Sequence, residues 1–235
     1  MSTSFIQIMD NAAKALVFNR FKDYFGLDDI NEDCVFFPKE IAQRKIAEKR
    51  GEGTVEFISI WRSGISYDWA RNNSAIARKG LLLTYNNPDT TKDSIVTAKA
   101  VPALIDYDVW FWSRDLDKIM KATESYLLWQ HDHPNLLLDY NNLYPMEMYL
   151  KFGPVIDEST LTQQYDKGLY FVSKMHISME GWVLTLLNSK TILTIYLKVY
   201  VREGTSPDYT DTLIYEHTIT TEGEGNIEAP TYPEE

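Results

Sequence analysis

Alternating apolar and polar positions mark one extended segment, VPALIDYDVWFW, from Val101 to Trp112. One face of this segment is apolar and aromatic: Val101, Ala103, Ile105, Tyr107, Val109 and Phe111. The other face is mixed: Leu104, Asp106, Asp108, Trp110 and Trp112. Alternation with a period of two predicts a strand that is buried mainly on one face.

A helix is predicted directly after this strand. Ser113 is a suitable N-cap residue, and Asp115 would place a negative charge in the first turn. Residues of the predicted apolar face then recur every three or four positions: Leu116, Ile119, Met120, Thr123, Tyr126, Leu127 and Gln130. This spacing predicts an amphipathic helix that lies back across the sheet.

Two further helices are predicted near the N terminus. Residues 4–20 show helical spacing of apolar positions, and we expect this helix to end near Gly26, because glycine adopts the left-handed conformation readily. We interpret it as an amphipathic docking helix. After a turn-like stretch over 27–34, a short charged helix is predicted from Pro38 to about Lys49, closed by Gly51 and Gly53. Its apolar face is thin, which places it on the surface.

The remaining strands are predicted from alternation and from β-branched and aromatic content. They are Thr54–Trp61, ended by Gly64; Leu81–Tyr85, followed by a turn over 86–89; Glu147–Phe152, ended by Gly153; Leu169–Glu180; and Ile192–Arg202. The last two are long and half-exposed, which is typical of antiparallel pairing. Residues 181–190 either extend the preceding strand or form a helical turn, and we favour the extension. Residues 65–79 are interpreted as a structured excursion and 132–144 as a long loop.

These elements predict an α+β fold, a twisted, mostly antiparallel sheet with helices packed on it and extended terminal arms. We expect residues 1–204 to form a single domain, because no repeat or low-complexity linker divides them. Residues 205–235 are interpreted as an acidic C-terminal arm that is flexible over 222–235. Within the arm, Leu213, Tyr215, His217 and Ile219 alternate, so this stretch is either a late strand or a segment that pairs with a neighbouring chain.

The distribution of charge excludes several classes of protein. Residues 203–235 hold nine of the 34 acidic residues and no Lys or Arg, so the rest of the chain has 25 acidic against 23 basic residues. A near-neutral body with an acidic tail argues against a specific nucleic-acid binder, which would carry a basic stripe. The sequence has neither an apolar run of membrane-spanning length nor a signal-peptide pattern, so we expect neither membrane association nor secretion.

Candidate catalytic and metal-binding groups are few. His131, Asp132 and His133 form a compact cluster, but adjacent loop side chains seldom converge on one ion, so we interpret them as a solvated loop. Asp106 and Asp108 share one face of a strand, and we interpret them as part of its polar face, with acid–base chemistry as the alternative. Cys34 is the only cysteine, and phosphate-loop and nucleophile-elbow motifs are absent. We therefore expect no cofactor, no metal and no enzymatic activity.

Three passages together resemble the tail-terminator and tail-completion (neck) proteins of tailed bacteriophages. They are VEFISIWRSGISYDWARNN followed by RKGLLLTY; KAVPALIDYDVWFWSRDLDKIMKATESYLLW; and the pair of segments around ISMEGWVL and TILTIYLKVYVREG. The second resembles the family's arrangement of a lysine-flanked proline, an aromatic–acidic strand, a Ser-Arg step and a long helix. The passages cover roughly Thr54 to Gly204.

The resemblance implies a structural virion protein with a compact α+β fold that assembles into a ring, commonly a hexamer, at the end of the tail tube. Such a ring stops tube growth and joins the tube to the head-closure or neck proteins, and it would contact a sheath where one is present. The protein would then be assembled in the host cytoplasm and reside in the tail or neck of the virion. Two alternatives stay open: another neck or head–tail connector ring, and a non-catalytic module that binds proteins by edge-strand addition.

Ring assembly requires residues that contact neighbouring subunits. Aromatic residues carry a large share of interface energy, and the two terminal segments are amphipathic, so we expect at least one of these segments to pack on a neighbour. The interface candidates are Phe5, Ile8, Met9, Trp110, Trp112, Tyr196, Tyr200, Leu213 and Tyr215.

Overall fold

The computed structural model describes residues 5–50, 56–71, 81–86, 93–132, 134–140, 144–159, 171–186, 194–205 and 208–220. The helices are α1 (Phe5–Phe25), α2 (Ile30–Asp33), α3 (Lys39–Arg50) and α4 (Leu116–His131), with a 3₁₀ turn at Trp69–Arg71. The strands are β1 (Cys34–Phe36), β2 (Phe57–Tyr67), β3 (Leu81–Asn86), β4 (Asp93–Ser113), β5 (Asn135–Tyr140), β6 (Tyr144–Phe152), β7 (Ile156–Asp157), β8 (Phe171–Leu186), β9 (Thr194–Thr205) and β10 (Asp208–Thr220).

All of these strands belong to one sheet, in the order β1-β2-β4-β8-β6-β5-β9-β10, with β3 pairing to β4 and β7 to β8. The pairings are antiparallel except for β1 with β2, which is parallel. The central pair is β4 with β8, whose register runs from Ser113 opposite Phe171 to Ala98 opposite Leu186. The predicted fold class, α+β with a mostly antiparallel sheet, is confirmed.

Helix α1 lies inside the curl of the sheet. It contacts β1 and β2 near one end of the strand order and β10 at the other end. Because the sheet curves around it, α1 is buried on most sides: Ile8, Met9, Ala12, Ala13, Val17, Phe18 and Phe21 are at most 5% exposed. The helix and its end at Gly26, which has a φ of 65°, match the prediction. The interpretation as an amphipathic docking helix is wrong, since a helix enclosed in this way belongs to the core.

Helix α4 starts later than predicted. Strand β4 continues through Ser113, which pairs with Phe171, so Ser113 is not the N-cap residue. Asp115 is the N-cap, and its carboxylate accepts a hydrogen bond from the backbone N–H of Asp117 at 2.9 Å. Ser113 Oγ in turn accepts from the N–H of Asp115 at 2.9 Å. The helix therefore begins at Leu116.

The buried face of α4 also differs from the prediction. The residues that pack inward are Ile119, Ala122, Ser125, Tyr126 and Trp129. Leu116, Met120 and Leu127, which were expected on that face, are 46%, 53% and 54% exposed. The reason is that the large rings of Tyr126 and Trp129 face α1 and the sheet, which rotates the inward face of the helix away from those three residues.

Two strands differ from the prediction. Strand β2 does not end at Gly64, because a bulge between Arg62 and Gly64 lets pairing with β4 continue to Tyr67. Residues 132–144 do not form a long loop, because β5 (Asn135–Tyr140) lies within them and pairs with both β6 and β9. Its Leu136, Leu137 and Leu138 are buried and form an apolar run typical of an interior strand.

Several other predicted elements are confirmed. They are α3, β3, β6 with its end before Gly153, β8 with the favoured extension through Gly181 to Leu186, and β9. Residues 65–67 belong to β2, and Trp69–Arg71 form the 3₁₀ turn, while 72–80 and 87–92 lie outside the described residues. The glycines at 51 and 53 also lie outside them.

The C-terminal segment contains a strand of the same sheet. β10 pairs with β9 from Asp208 opposite Thr205 to Thr220 opposite Thr194, with a bulge between Leu213 and Tyr215. The late strand is therefore confirmed, and its partner is in the same chain. Position 204 is not a domain boundary, because the sheet continues past it. The predicted flexible stretch over 222–235 lies outside the described residues.

The two faces of the sheet carry separate cores, and we name each face after the helix that covers it. On the α1 face, α1 and α4 pack on the main core. On the α3 face, a small second core holds Val35, Ala42, Phe57, Trp110, Trp112 and Val172. Phe57 and Trp112 stack there with ring centroids 5.0 Å apart. Only one side of α3 is thus fixed to the sheet, as its thin apolar face predicts.

Candidate functional site

Polar side chains form a ladder across β4 and β8 on the α3 face of the sheet. Asp106 is opposite Ser178, and Asp108 is opposite His176. The Ser178 hydroxyl donates to Asp106 Oδ1 at 2.5 Å and lies 3.2 Å from His176 Nε2. His176 Nδ1 lies 2.9 Å from Asp108 Oδ1. Cross-strand pairs have side chains on the same face of a sheet, so strand register alone brings these four groups together.

The ladder continues toward α3. Lys174 Nζ lies 2.9 Å from Asp108 Oδ2 and 5.4 Å from the centroid of the Trp110 ring. The indole N–H of Trp110 donates to Glu158 Oε2 at 3.2 Å, and Lys39 Nζ donates to the same oxygen at 2.6 Å. These part-buried contacts fasten the first residue of α3 to the centre of the sheet.

The ladder resembles a catalytic triad only in its connectivity. Asp108, His176 and Ser178 are linked in the order acid, imidazole, hydroxyl. The Ser178 proton is directed to Asp106, however, and a carboxylate beside the hydroxyl would repel the negative charge that forms during acyl transfer. Because each of the two carboxylates is engaged by neighbours, the arrangement supports a structural role for the ladder.

Other candidate chemistry finds little support in the part of the chain that the structure describes. His131 is the last residue of α4, its side chain is 89% exposed, and its Nδ1 lies 3.8 Å from Asp132 Oδ1, while His133 is outside the described residues. Among those residues, no three His, Cys, Asp or Glu side chains are placed to hold a metal ion. Cys34 is fully buried, and burial raises the pKa of its thiol to about 12, so it is protonated and unreactive.

The structure buries four of the interface candidates. Ile8, Met9 and Trp112 are 0% exposed and Trp110 is 7% exposed. Their selection as interface residues is wrong, because they fill the two cores of their own chain. Leu213 is 45% exposed, and Tyr200 and Tyr215 are half-buried. The side chains of Phe5 and Tyr196 lie outside the described part of the chain.

Two exposed apolar surfaces were not predicted. The first, the α4 surface, consists of Leu116, Met120, Leu127 and Leu128, each 46–65% exposed. The second, the β2 surface, consists of Ile65, Tyr67 and Trp69 at the end of β2. Trp61 is also exposed, but it lies opposite Asp108 and so projects from the other face of the sheet than Ile65, which lies opposite Ile105. Trp69 is 77% exposed, and its ring lies 4.7 Å from that of Tyr67. Large apolar side chains exposed together on a folded chain typically mark a binding surface.

The sequence contains a partial signal for each surface. In α4, apolar residues occur around more of the helix than one buried face can use, as Ile119 and Trp129 face inward while Leu127 and Leu128 face outward. In β2, the alternating pattern continues past Gly64 to Ile65 and Tyr67. Neither pattern reveals which side of the element is covered, because that depends on the packing of distant elements.

Comparison with known proteins adds no identification. No protein-family model and no curated protein matches the sequence. In the described residues, none of the helices combines the length and the apolar character needed to cross a bilayer.

Proposed function

We propose that this protein is a structural ring protein of a tailed-phage virion, a tail terminator that caps the tail tube and joins it to the neck. The supporting observation is the presence of two separate exposed apolar surfaces on one folded unit. A protein that connects two different assemblies must bind each of them at the same time, and it needs a distinct surface for each. The α4 and β2 surfaces meet that requirement.

The composition of the two surfaces suits protein partners. The β2 surface contains Tyr67 and Trp69, and Tyr and Trp are residue types that often dominate interface energy. The α4 surface presents a helix with leucine and methionine side chains, which fit a groove or a second helix. We assign one surface to the tube protein and the other to the neck or head-closure proteins, with a sheath protein as a further partner.

The curled sheet supports the same proposal. The ladder on the α3 face and the large core on the α1 face each join β4 to β8 through side chains, and we infer from this that the subunit is rigid. A stiff subunit that presents its surfaces at fixed angles can repeat around an axis and close a ring. We propose a homo-oligomeric ring that is assembled in the host cytoplasm and retained in the virion. In the tail-terminator family that the sequence resembles, such a ring is commonly a hexamer.

The test is ring formation on tail tubes of the phage that encodes the chain. The purified protein, alone and mixed with tubes, is examined by light scattering and negative-stain microscopy. We expect rings at tube ends and tubes of uniform length. Trp69→Ala and the double variant Met120→Gln with Leu127→Gln should each reduce capture of one partner, tube or neck.

The matched control is Tyr24→Ala, which removes an aromatic side chain that is 39% exposed on α1, outside both surfaces. Retained capture by this control with reduced capture by the other two supports the proposal. A wild-type protein that ignores the tube, or surface variants that bind both partners as wild type does, would refute it.

A binding module that adds an edge strand is the second candidate. The observation in its favour is β10, a strand of 13 residues that pairs only with β9 among the described residues. An unpaired strand edge can accept an extended peptide. A chain that stays monomeric on tubes and at high concentration would favour this candidate over the ring.

A further inference from the structure

The outward side of α3 is an apolar patch with basic flanks. Ile41 is 45% exposed and Phe37 is 36% exposed, while Arg44 and Lys45 beside them are also exposed. The sequence of the helix holds five Lys or Arg and two Glu. The helix is fixed in place because Ala42 is buried in the second core and Lys39 is bound to Glu158. We call Phe37, Ile41, Arg44 and Lys45 the α3 patch.

The outward side of β10 is an apolar patch with acidic flanks. Leu213 is 45% exposed, and Asp211 and Glu216 on the same strand are exposed. The strand contains three carboxylates and no Lys or Arg. Arg202 on β9 binds Asp211 through two nitrogens, at 2.8 and 2.9 Å, and this holds the pKa of the Asp211 carboxyl below its ordinary value. We call Asp211, Leu213 and Glu216 the β10 patch.

The two patches lie over different halves of the sheet. Through Ala42, α3 packs on the half formed by β1, β2, β4 and β8, and β10 is the last strand of the other half. Each patch has an exposed aliphatic side chain at its centre, Ile41 in one and Leu213 in the other. Arg44 and Lys45 lie beside Ile41, and Glu216 lies beside Leu213, whereas Asp211 is paired with Arg202 of its own chain. Two α3 patches brought together would oppose like charges, and so would two β10 patches. A contact between one α3 patch and one β10 patch joins opposite charges around an apolar centre.

We propose that the α3 patch of one subunit docks on the β10 patch of a second copy of this chain. The contact is heterologous, since it uses two different surfaces, and each subunit can donate one patch and accept the other at the same time. Repetition of such a contact builds a ring or a helical filament. The inference rests on the proposed ring function and identifies its lateral interface, leaving the α4 and β2 surfaces for the tube and the neck.

Charge reversal tests the polarity of this contact. Arg44→Glu and Glu216→Lys, tested singly in the full chain, should each weaken self-association about fivefold or more, the size expected for one exposed interfacial charge pair. The double variant exchanges the two signs of charge, so that opposite charges face each other again, and it should return to within about twofold of wild type. The control is Lys121→Glu on α4, an exposed residue outside both patches, which should leave self-association unchanged.

Cysteine cross-linking tests the geometry independently, on tubes if the free chain is monomeric. A mixture of Ile41→Cys and Leu213→Cys chains should form disulfide dimers under mild oxidation, and a chain with both substitutions should form a ladder of multimers. Either single variant alone should stay largely uncross-linked, since the native Cys34 is buried. Thermal melting of each variant checks that the fold is kept, which is expected because all the substituted residues are exposed.

The outcomes separate this inference from the proposed function. Rings that form at tube ends with unaltered strength in both single charge variants would overturn the interface and leave the terminator proposal standing. A double variant that self-associates more weakly than either single variant would also overturn the interface. In solution, the double charge variant could recover self-association and the chain with both cysteines could form disulfide-linked multimers, while the protein never caps a tube. That result would support the interface and refute the terminator proposal.

Discussion

Arg62 on β2 forms an ion pair with Asp10 on α1, with 2.6 Å between Arg62 Nη1 and Asp10 Oδ2. The other carboxylate oxygen of Asp10 accepts a hydrogen bond from the Tyr107 hydroxyl on β4 at 3.0 Å. One side chain thus connects the enclosed helix to two adjacent strands of the sheet. These contacts fix the position of α1 along its axis, which apolar packing alone defines poorly because it is not directional.

The first prediction concerns the pH dependence contributed by Asp10. Burial raises the pKa of Asp10 above its ordinary value, against the opposing influence of Arg62 and Tyr107. A carboxyl with a raised pKa binds its proton more tightly in the folded chain, so its stabilising contribution is complete below the ordinary pKa, about 3.9. That contribution is lost as the pH rises through the raised pKa. The free energy of unfolding of wild type, minus that of Asp10→Asn, should therefore decrease over this interval.

The variant Arg62→Met provides the control for that measurement. It removes the cation that opposes burial, so the decrease with pH should become steeper and extend to higher pH. The comparison comes from urea titrations at several pH values of four proteins: wild type, Asp10→Asn, Arg62→Met and the double variant. A difference between wild type and Asp10→Asn that stays constant or increases with pH would contradict the assignment.

A second prediction follows from the enclosure of α1. Phe21 is 0% exposed, and its ring lies 4.7 Å from that of Phe111 and 5.9 Å from that of Trp129. Phe21→Ala should lower the free energy of unfolding by about 3–5 kcal/mol. Tyr24→Ala on the same helix, where the ring is 39% exposed, should cost much less. Chemical denaturation followed by circular dichroism measures both, and equal losses would show that α1 is not enclosed as described.

The same packing changes what truncation is expected to do. The amphipathic spacing over residues 4–20 predicts a docking helix, and deletion of a helix that docks on a neighbour would spare the monomer. In the structure that helix fills the curl of the sheet, so its deletion should abolish folding. The residue pattern contains a hint: Leu16, Val17 and Phe18 are three consecutive large apolar residues, which project from different sides of a helix. A helix with apolar residues on most sides is typically enclosed.

Only part of the ladder could be predicted from the sequence. Alternation correctly placed Asp106 and Asp108 on one face of β4. Their partners Ser178 and His176 are 72 and 68 residues away in the chain and could not be assigned. Alternation defines which way a side chain points within one strand, whereas a partner across strands depends on register, and a shift by one residue would reverse the face. The connection between β4 and β8 is too long to set that register locally.

A third prediction concerns Gly181, where β8 passes close to Met148 on β6. A Cβ atom added at Gly181 would overlap the Met148 side chain. Gly181→Ala should therefore cost about 1–3 kcal/mol of stability through overpacking. Met148→Ala alone should cost about 2–5 kcal/mol, because Met148 is 1% exposed and its truncation leaves a cavity.

The double variant decides whether the two positions are coupled. If the added methyl occupies the space that Met148 leaves, the double variant should be more stable than the sum of the two single losses predicts, by about 1 kcal/mol or more. Strictly additive losses in thermal or urea unfolding would indicate that the backbone at Gly181 moves away and that the two side chains do not compete for space.

The last prediction ranks the two ladder carboxylates. The Asp108 side chain is 15% exposed and contacts both Lys174 and His176, whereas Asp106 is 26% exposed and accepts its short hydrogen bond from a neutral hydroxyl. Removal of the Asp108 charge leaves the Lys174 ammonium, which is 24% exposed, without its carboxylate partner. Asp108→Asn should therefore cost about 1–3 kcal/mol in urea unfolding, and Asp106→Asn about 1 kcal/mol or less.

Lys174→Met in the Asp108→Asn background should recover part of the loss, because the unpaired charge is then gone. An Asp106 variant that loses more stability than the Asp108 variant would show that the hydroxyl at Ser178, and not the lysine, carries the stability of the ladder.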